Sequence, residues 1–226
     1  MPTIAFTKAR LPFGWLGNMS PYSVEYEGQR WPTAESLFQA LRFDNPEIRE
    51  QIRAAKSPMA AKFIAKNHKD QMVVVPRTAQ DVANMAMVLR LKLAQHPHLE
   101  GELLGTGDRL IVEDSSCRHG ESARFWGAAL EDGQWVGRNV LGSLWMELRQ
   151  ELRQRSEGAG RQSHSPHRPS GKPVSNVWQR RSIPRTAGQA AIHDPQRRAA
   201  HDRRSIAEML ARPWKKNRHG PWTESF

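Results

Sequence analysis

The sequence has one cysteine, two tyrosines and no long apolar run among its 226 residues. Because Cys117 is alone, no intrachain disulfide can form, as is typical of proteins in a reducing compartment. No stretch approaches the roughly 18–20 apolar residues of a membrane-spanning helix. The opening residues also lack the apolar core of a secretory signal. These absences predict a soluble, cytoplasmic protein without membrane contact.

Signatures of metal and cofactor binding are missing as well. The nine histidines form no HExxH or HxxxH pair, and there is neither a Walker loop nor a GxGxxG turn. His119 lies close to Cys117 in sequence, but a thiol nucleophile needs a partner in space, so this is weak support for cysteine catalysis. The sequence therefore predicts no metal site and no resident cofactor.

Acidic residues are scarce only in the rear of the chain. Residues 1–155 hold 20 Lys and Arg against 18 Asp and Glu, whereas residues 156–226 hold 14 against 5. Residues 156–173 contain no aliphatic side chain larger than alanine, so they cannot bury enough surface to offset chain entropy. We predict a folded domain over residues 8–155 and a basic, mostly disordered tail over 156–226. Such a tail either contacts nucleic-acid phosphates or is a passive solvated extension.

The folded part alternates helical segments with turns. Ser57 followed by Pro58 is a helix start, and the segment TAQD at 78–81 has the form of a capping box. Strand-like residues flank a hairpin turn at 27–28, and residues 131–133 are predicted to form a turn. Helical spacing or start signals mark the segments 32–43, 57–66, 78–95, 98–104 and 139–152, and 109–114 is a short strand candidate.

Polar residues recur along the helix predicted over 32–43, which Thr33 caps. Glu35, Gln39 and Arg42 are three or four residues apart, so they share one face, opposite the leucines at 37 and 41. Two interpretations stay open. The stripe is either an ordinary solvated face with favourable spacing or a functional row of carboxylate, amide and guanidinium.

Glycines lie beside aromatic residues in the segments GWLGNMSP (14–21) and FWGAALEDGQWVGRN (125–139). Such segments are either tight turns packed on a core or loops where a flat ligand stacks while the backbone comes close. Trp145 follows the apolar spacing of a helix and is predicted to be core, whereas Trp126, next to a glycine, is the better stacking platform. Asn139 is either a simple N-cap or part of a phosphate site at a helix start.

Over roughly residues 11–153 the chain resembles the NADAR family. The resemblance is carried by the segments LGNMSP, WPTAESLFQALRF, SPMAAK, NMAMVLRLKLAQHP, LLGTGDRLIVED and FWGAALEDGQWVGRNVLGSLWMELR. It implies a single compact, mainly helical α+β domain. It also implies hydrolysis of an N-glycosidic bond between ribose and a nitrogenous group. The known substrate classes are riboflavin-pathway ribosylamino-pyrimidine phosphates and ADP-ribose attached to guanine.

The resemblance assigns roles to the stripe and its surroundings. Glu35 matches the family's functional glutamate and is expected to stabilise the charge on the anomeric carbon or to activate water. Gln39 is expected to orient ribose hydroxyls and Arg42 to bind a phosphate or hydroxyl as a fork-shaped donor. Trp126 is expected to stack on the leaving base. Asp114 is the predicted second carboxylate, which would protonate the leaving nitrogen.

Further substrate contacts are expected on both sides of this row. Asn139 and Gly142 are predicted to line the phosphate side at the helix start. Asn18, Phe38 and Gly127 complete the predicted set of substrate-binding residues.

Two departures from the family pattern bear on the mechanism. Many relatives have lysine where this chain has Arg42, and arginine cannot form a Schiff base. Many also have aspartate where this chain has Ala128, which weakens a transfer of the riboflavin-pathway substrate. An alternative function is therefore a module that binds ADP-ribose or NAD-like nucleotides without turnover. Nucleic-acid binding through the tail is a third.

Overall fold

A computed structural model describes residues 3–162 of the protein. The predicted tail lies outside these residues, apart from its first seven positions. In chain order the elements are β1 (Thr3–Phe6), β2 (Val24–Tyr26), β3 (Gln29–Trp31), α1 (Ala34–Ala40), α2 (Pro46–Arg53), α3 (Pro58–Asn67), α4 (Ala79–Gln95), α5 (His98–Gly105), β4 (Leu110–Glu113), α6 (Glu121–Trp126), β5 (Ala129–Glu131), β6 (Gln134–Val136) and α7 (Val140–Gln162). The mainly helical α+β class is therefore confirmed.

The short helix α1 lies at the centre, and all seven of its residues are buried. Helices α2, α3 and α4 pack around it, while α7 packs on β4, α5, α4 and α6. One apolar cluster joins these elements, with Trp31 and Trp145 among its largest fully buried side chains. Because α1 is enclosed on all sides, its polar residues lie inside the fold.

The first strand extends the domain beyond its predicted start at residue 8. Strand β1 pairs in parallel with β4, in a register that places Thr3 opposite Leu110 and Phe6 opposite Glu113. Helix α7 likewise continues through Gln162, past the predicted end at 155. The N-terminal boundary was missed because a four-residue strand has no recognisable periodicity and its partner lies about a hundred residues away.

The predicted hairpin turn at 27–28 and the predicted turn at 131–133 are confirmed, and the second also joins a hairpin. Strands β2 and β3 are joined through Glu27 and Gly28, whose φ angles are 50° and 73°. Strands β5 and β6 are joined through Asp132 and Gly133, with φ angles of 47° and 78°. Two-residue turns with positive φ match the right-handed twist of the strands that they connect.

The predicted helix starts are confirmed in all three places, and two of them carry a side-chain cap. Thr33 and Ser36 form a reciprocal capping box at α1, and the Ser57 side chain accepts a hydrogen bond from the Ala60 N–H at α3. The capping box predicted at 78–81 is wrong. Thr78 is the N-cap of α4 but makes no side-chain cap bond: its hydroxyl donates to the Val75 carbonyl (2.7 Å), and the Asp81 carboxylate accepts from Arg42 and the Arg77 N–H. Within residues 3–162, no helix has the length and apolar character needed to cross a membrane.

Candidate active site

The polar stripe of α1 is buried, so the interpretation as a solvated face is wrong. Glu35, Gln39 and Arg42 are 6%, 3% and 7% exposed. Gln39 Nε2 donates a hydrogen bond to Glu35 Oε1 (2.8 Å), and Arg42 Nη1 donates one to Gln39 Oε1 (2.8 Å). Buried polar groups need partners, and here the stripe supplies them within itself. The three side chains form one continuous hydrogen-bonded row.

The guanidinium fork of Arg42 binds Asp81 of α4. Nε donates to Asp81 Oδ1 at 2.8 Å and Nη2 to Oδ2 at 2.9 Å. The guanidinium carbon also lies 4.4 Å above the centre of the Phe38 ring. A fork that holds a carboxylate on both prongs cannot hold a phosphate in the same way. The predicted phosphate contact of Arg42 is therefore replaced by an internal ion pair.

Asn18 ties the loop before β2 to the start of α1. Its backbone carbonyl accepts a hydrogen bond from the Glu35 N–H (3.0 Å), and its Nδ2 lies 3.1 Å from the sulfur of Met85. Its Oδ1 is buried and has no hydrogen-bond partner among the described residues. Since an unsatisfied buried acceptor is costly, this oxygen is suited to accept a hydrogen bond from a ligand.

A second carboxylate, that of Glu113 at the end of β4, lies within the electrostatic influence of Glu35. Its side chain is 15% exposed, and Arg118 Nη1 donates to Oε1 at 3.0 Å. Oε2 is buried without a partner in the described part of the chain. Burial raises the pKa of Glu113, Arg118 works against that rise, and the charge of Glu35 adds to it. Glu113 therefore favours its protonated form more than an ordinary glutamate does.

Asp114, the second carboxylate that the sequence predicts, is used in a local turn. Its Oδ1 accepts hydrogen bonds from both the N–H and the hydroxyl of Ser116 (2.9 and 2.6 Å). Successive side chains of a strand point to opposite faces, so Glu113 and Asp114 cannot share an environment. The geometry thus sets Glu113, rather than the predicted Asp114, in the electrostatic influence of Glu35; a catalytic role of Asp114 stays a prediction.

Of the two predictions for Trp145 and Trp126, the structure confirms the first. Trp145 is fully buried, and its Nε1 donates to the Leu16 carbonyl at 2.9 Å, which confirms it as core. Trp126 is only partly buried and lies edge-on to the Phe38 ring, 5.4 Å between centroids. Phe38 itself is buried between Trp126 and Arg42. Phe38 therefore supports its neighbours, and stacking of a base on Trp126 stays a prediction.

Asn139 and Gly142, for which the sequence predicts phosphate contacts, pack against the backbone of β4. Asn139 Oδ1 accepts from the Glu113 N–H (3.0 Å), and Nδ2 donates to the Ile111 carbonyl (2.8 Å). A Cβ on Gly142 would overlap the Ile111 carbonyl oxygen, and one on Gly127 would overlap that of Glu113. These three residues hold α6, the β5–β6 hairpin and the start of α7 against β4. In this structure they fix the strand that carries Glu113, and we do not include them among the ligand-binding residues.

Two cations act on Glu113 from the protein surface. Lys62 of α3 is exposed, and its charge lowers the pKa of Glu113, as does that of Arg118. Residues 3–162 contain no group of three or more His, Cys, Asp and Glu side chains that could hold a metal ion. The arrangement can therefore offer acid–base groups inside and cations at the rim.

Comparison with known proteins identifies the family of this domain. The NADAR domain model matches residues 5–153, and the chain belongs to the NADAR domain family. N-glycosidase YbiA of Escherichia coli (strain K12) is 34% identical over 142 residues, 62% of this chain and 82% of that protein. N-glycosidase Npun_R5314 of Nostoc punctiforme is 30% identical over 157 residues, 67% and 93% of the two chains.

A plant relative and a solved structure extend the comparison. The chloroplastic riboflavin biosynthesis protein PYRR of Zea mays is 33% identical over 163 residues, 66% of this chain and 25% of that protein. The NMR structure of E. coli YbiA matches with a TM-score of 0.56 at 30% identity and covers 75% of this chain and 92% of that one. These proteins are similar in sequence and fold to the domain described above.

Proposed function

We propose that this protein is an N-glycosidase that hydrolyses the ribosyl C–N bond of a phosphorylated ribosyl-base or ADP-ribosyl substrate. The observation that carries the proposal is the pair Glu35 and Glu113. One carboxylate accepts an internal hydrogen bond, and the other has a raised pKa and a buried, unpartnered oxygen. Two carboxyl groups in different environments can act as the general base and the general acid of one reaction. The N-glycosidase names of the relatives support the same reaction class.

In the proposed reaction, protonated Glu113 gives its proton to the leaving nitrogen as the C–N bond breaks. Positive charge develops on the anomeric carbon and ring oxygen, and the Glu35 carboxylate stabilises it. Glu35 also accepts a proton from the attacking water, so the products are the free base and a ribose with a 1-hydroxyl. Asn18 Oδ1 would accept a hydrogen bond from the sugar or the base, and Trp126 would stack on the base.

The phosphate groups of the substrate are proposed to stay at the rim. Inside the site the fork of Arg42 is taken by Asp81, and Asn18 Oδ1, which is buried without a partner in the described part of the chain, can only accept a hydrogen bond. An anion next to Asn18 Oδ1 and the Glu35 carboxylate would be repelled, whereas Lys62 and Arg118 offer positive charge outside. This arrangement favours a donor-rich sugar and base inside, with phosphate toward solvent.

The second candidate function is binding of an ADP-ribose or NAD-like nucleotide without turnover, and the presence of Arg42 in place of lysine favours it. A panel of ribosylamino-pyrimidine phosphate, NAD, ADP-ribose and ADP-ribosylated guanine DNA separates the two. Released base is measured by mass spectrometry, and binding is measured in parallel by calorimetry. Base release from one substrate class is the expected result. Tight binding without any release would support the binding module instead.

A further inference from the structure

Asp81 stands at the inner end of the polar row of α1, and no signal in the sequence marks it as functional. Its side chain is fully buried. It accepts hydrogen bonds from Arg42 Nε and Nη2 (2.8 and 2.9 Å) and from the backbone N–H of Arg77 (2.7 Å). Both oxygens are therefore engaged, and the guanidinium plane of Arg42 is fixed.

A fixed Arg42 determines which way the Gln39 amide points. Arginine can only donate hydrogen bonds, so the end of Gln39 that faces Nη1 must be the carbonyl oxygen. The amide nitrogen then faces Glu35 and donates to Oε1 at 2.8 Å. This donor holds one oxygen of the Glu35 carboxylate in place. The direction of every bond in the row thus follows from the first pair.

Stability alone is a poor reason for this pair. Taking two charges out of water costs about as much as their attraction returns, and apolar replacements of buried pairs are often neutral or better. Orientation is a better reason, because a displacement of about 1 Å in a reacting group can cost on the order of a hundredfold in rate. We infer that Asp81 is a positioning residue that acts through Arg42 and Gln39 to orient the Glu35 carboxylate. The catalytic part of this inference rests on the proposed function.

The test replaces the pair as a unit. Removing Asp81 alone would leave Arg42 buried and unpaired and risks unfolding, so the variant is Asp81→Leu with Arg42→Met. The matched control removes a surface ion pair on helix α2, Glu50→Leu with Arg53→Met. Thermal melting verifies that both variants fold. We expect kcat of the first variant to fall by about 10–100-fold with KM within about threefold, and the control to match wild type.

A second readout does not depend on turnover. The side-chain amide of Gln39 gives a ¹⁵N–¹H signal, assigned by its loss in Gln39→Leu. In the Asp81→Leu, Arg42→Met variant this signal should move toward that of an exposed glutamine, and its hydrogen exchange should be at least about tenfold faster. If the wild type turns over, an unchanged kcat of the Asp81→Leu, Arg42→Met variant would overturn the inference. An unchanged Gln39 signal in that variant would overturn it as well. Absence of turnover in wild type would instead reject the proposed function, while the Gln39 signal still decides the positioning role.

Discussion

Helix α1 and the segment 125–142 both carry residues for which the sequence predicts ligand contacts, yet their polar atoms are used differently. On α1 the polar side chains form a buried row that ends at Glu35. In the segment 125–142, the Asn139 side chain is hydrogen-bonded to the backbone of β4, and Gly127 and Gly142 pack closely against that backbone. The difference teaches that glycines beside aromatic residues here mark close packing. The candidate site is marked instead by buried side-chain oxygens, Asn18 Oδ1 and Glu113 Oε2, that have no hydrogen-bond partner among the described residues.

The largest effect is expected on the α1 side. Glu35→Gln keeps the acceptor for Gln39 but removes the negative charge, so turnover should fall by about 10²–10⁴-fold while the melting temperature is unchanged. Steady-state kinetics on the substrate found in the panel measure the loss. Glu47→Gln, an exposed glutamate in the first turn of α2, is the matched control. Near wild-type turnover in Glu35→Gln would reject the assignment of the charge-stabilising role.

The next prediction compares Trp126, inside the segment 125–142, with Trp145, just after it. Trp145→Ala should lower the free energy of unfolding by about 3–5 kcal/mol, as large truncations in a core do. Trp126→Ala should melt nearly normally and weaken ligand binding, because its ring is only partly buried. Chemical denaturation and calorimetric titration give the two quantities. If the variants exchange these phenotypes, the division between core and site is wrong.

Glycine substitutions test whether the segment 125–142 is structural. Gly142→Ala would push a methyl group into the Ile111 carbonyl, so it should destabilise the domain by about 1–3 kcal/mol. Gly101→Ala, in the helix α5, meets open space and should be neutral or stabilising by up to about 1 kcal/mol. Thermal melts of both variants provide the comparison. A stable Gly142→Ala protein that has lost only ligand affinity would restore Gly142 to the ligand-binding set.

The smallest effect concerns Lys92 of α4, which holds the loop that carries Asn18. Its Nζ donates to the Trp15 carbonyl, to the Gly17 carbonyl (3.1 Å) and to the Ser20 hydroxyl (2.8 Å). Burial lowers the pKa of Lys92 from 10.5 to about 7. Between these values the unfolded chain binds more protons than the folded one, so wild-type stability should rise with pH, by at most about 1.4 kcal/mol per unit.

Lys92→Met removes this group and should flatten the dependence of stability on pH between pH 7 and 9. Lys66→Met, at an exposed position of α3, should leave the wild-type slope in place. Denaturant titrations at several pH values measure both. Parallel stability curves for wild type and Lys92→Met would show that Lys92 does not carry the predicted linkage.

The elements that the sequence predicts well are those fixed by neighbours in the chain. The hairpin turn at Glu27 and Gly28 and the cap at Thr33 depend on a few adjacent residues, and the structure confirms both. The family resemblance also located Glu35 and Asn18, although a single helical face could not say whether it was buried. Burial of α1 depends on three other helices that pack around it.

The features that could not be predicted from the sequence, the partner of Asp81 and the orientation of Glu113, depend on residues far away in the chain. Asp81 fits the spacing of a capping box, but the competing partner Arg42, 39 residues away, binds it instead. Glu113 and Asp114 are chemically alike and adjacent, and only the pairing of β4 with β1 and its packing on α7 decides which one turns inward. Strand alternation shows that one of the two must face the site; it does not show which.

The measurement that tests the two-carboxylate site most directly is the pH dependence of kcat/KM in Glu113→Gln beside Asp114→Asn. Glutamine keeps the acceptor for Arg118 but has no proton to give at any pH. We predict that wild-type kcat/KM falls as pH rises through the raised pKa of Glu113. Glu113→Gln should lose about 10²–10⁴-fold in rate together with that alkaline decline. Asp114→Asn should follow the wild-type profile. A Glu113→Gln enzyme with the wild-type rate and profile, or an Asp114→Asn enzyme that loses both, would contradict the account.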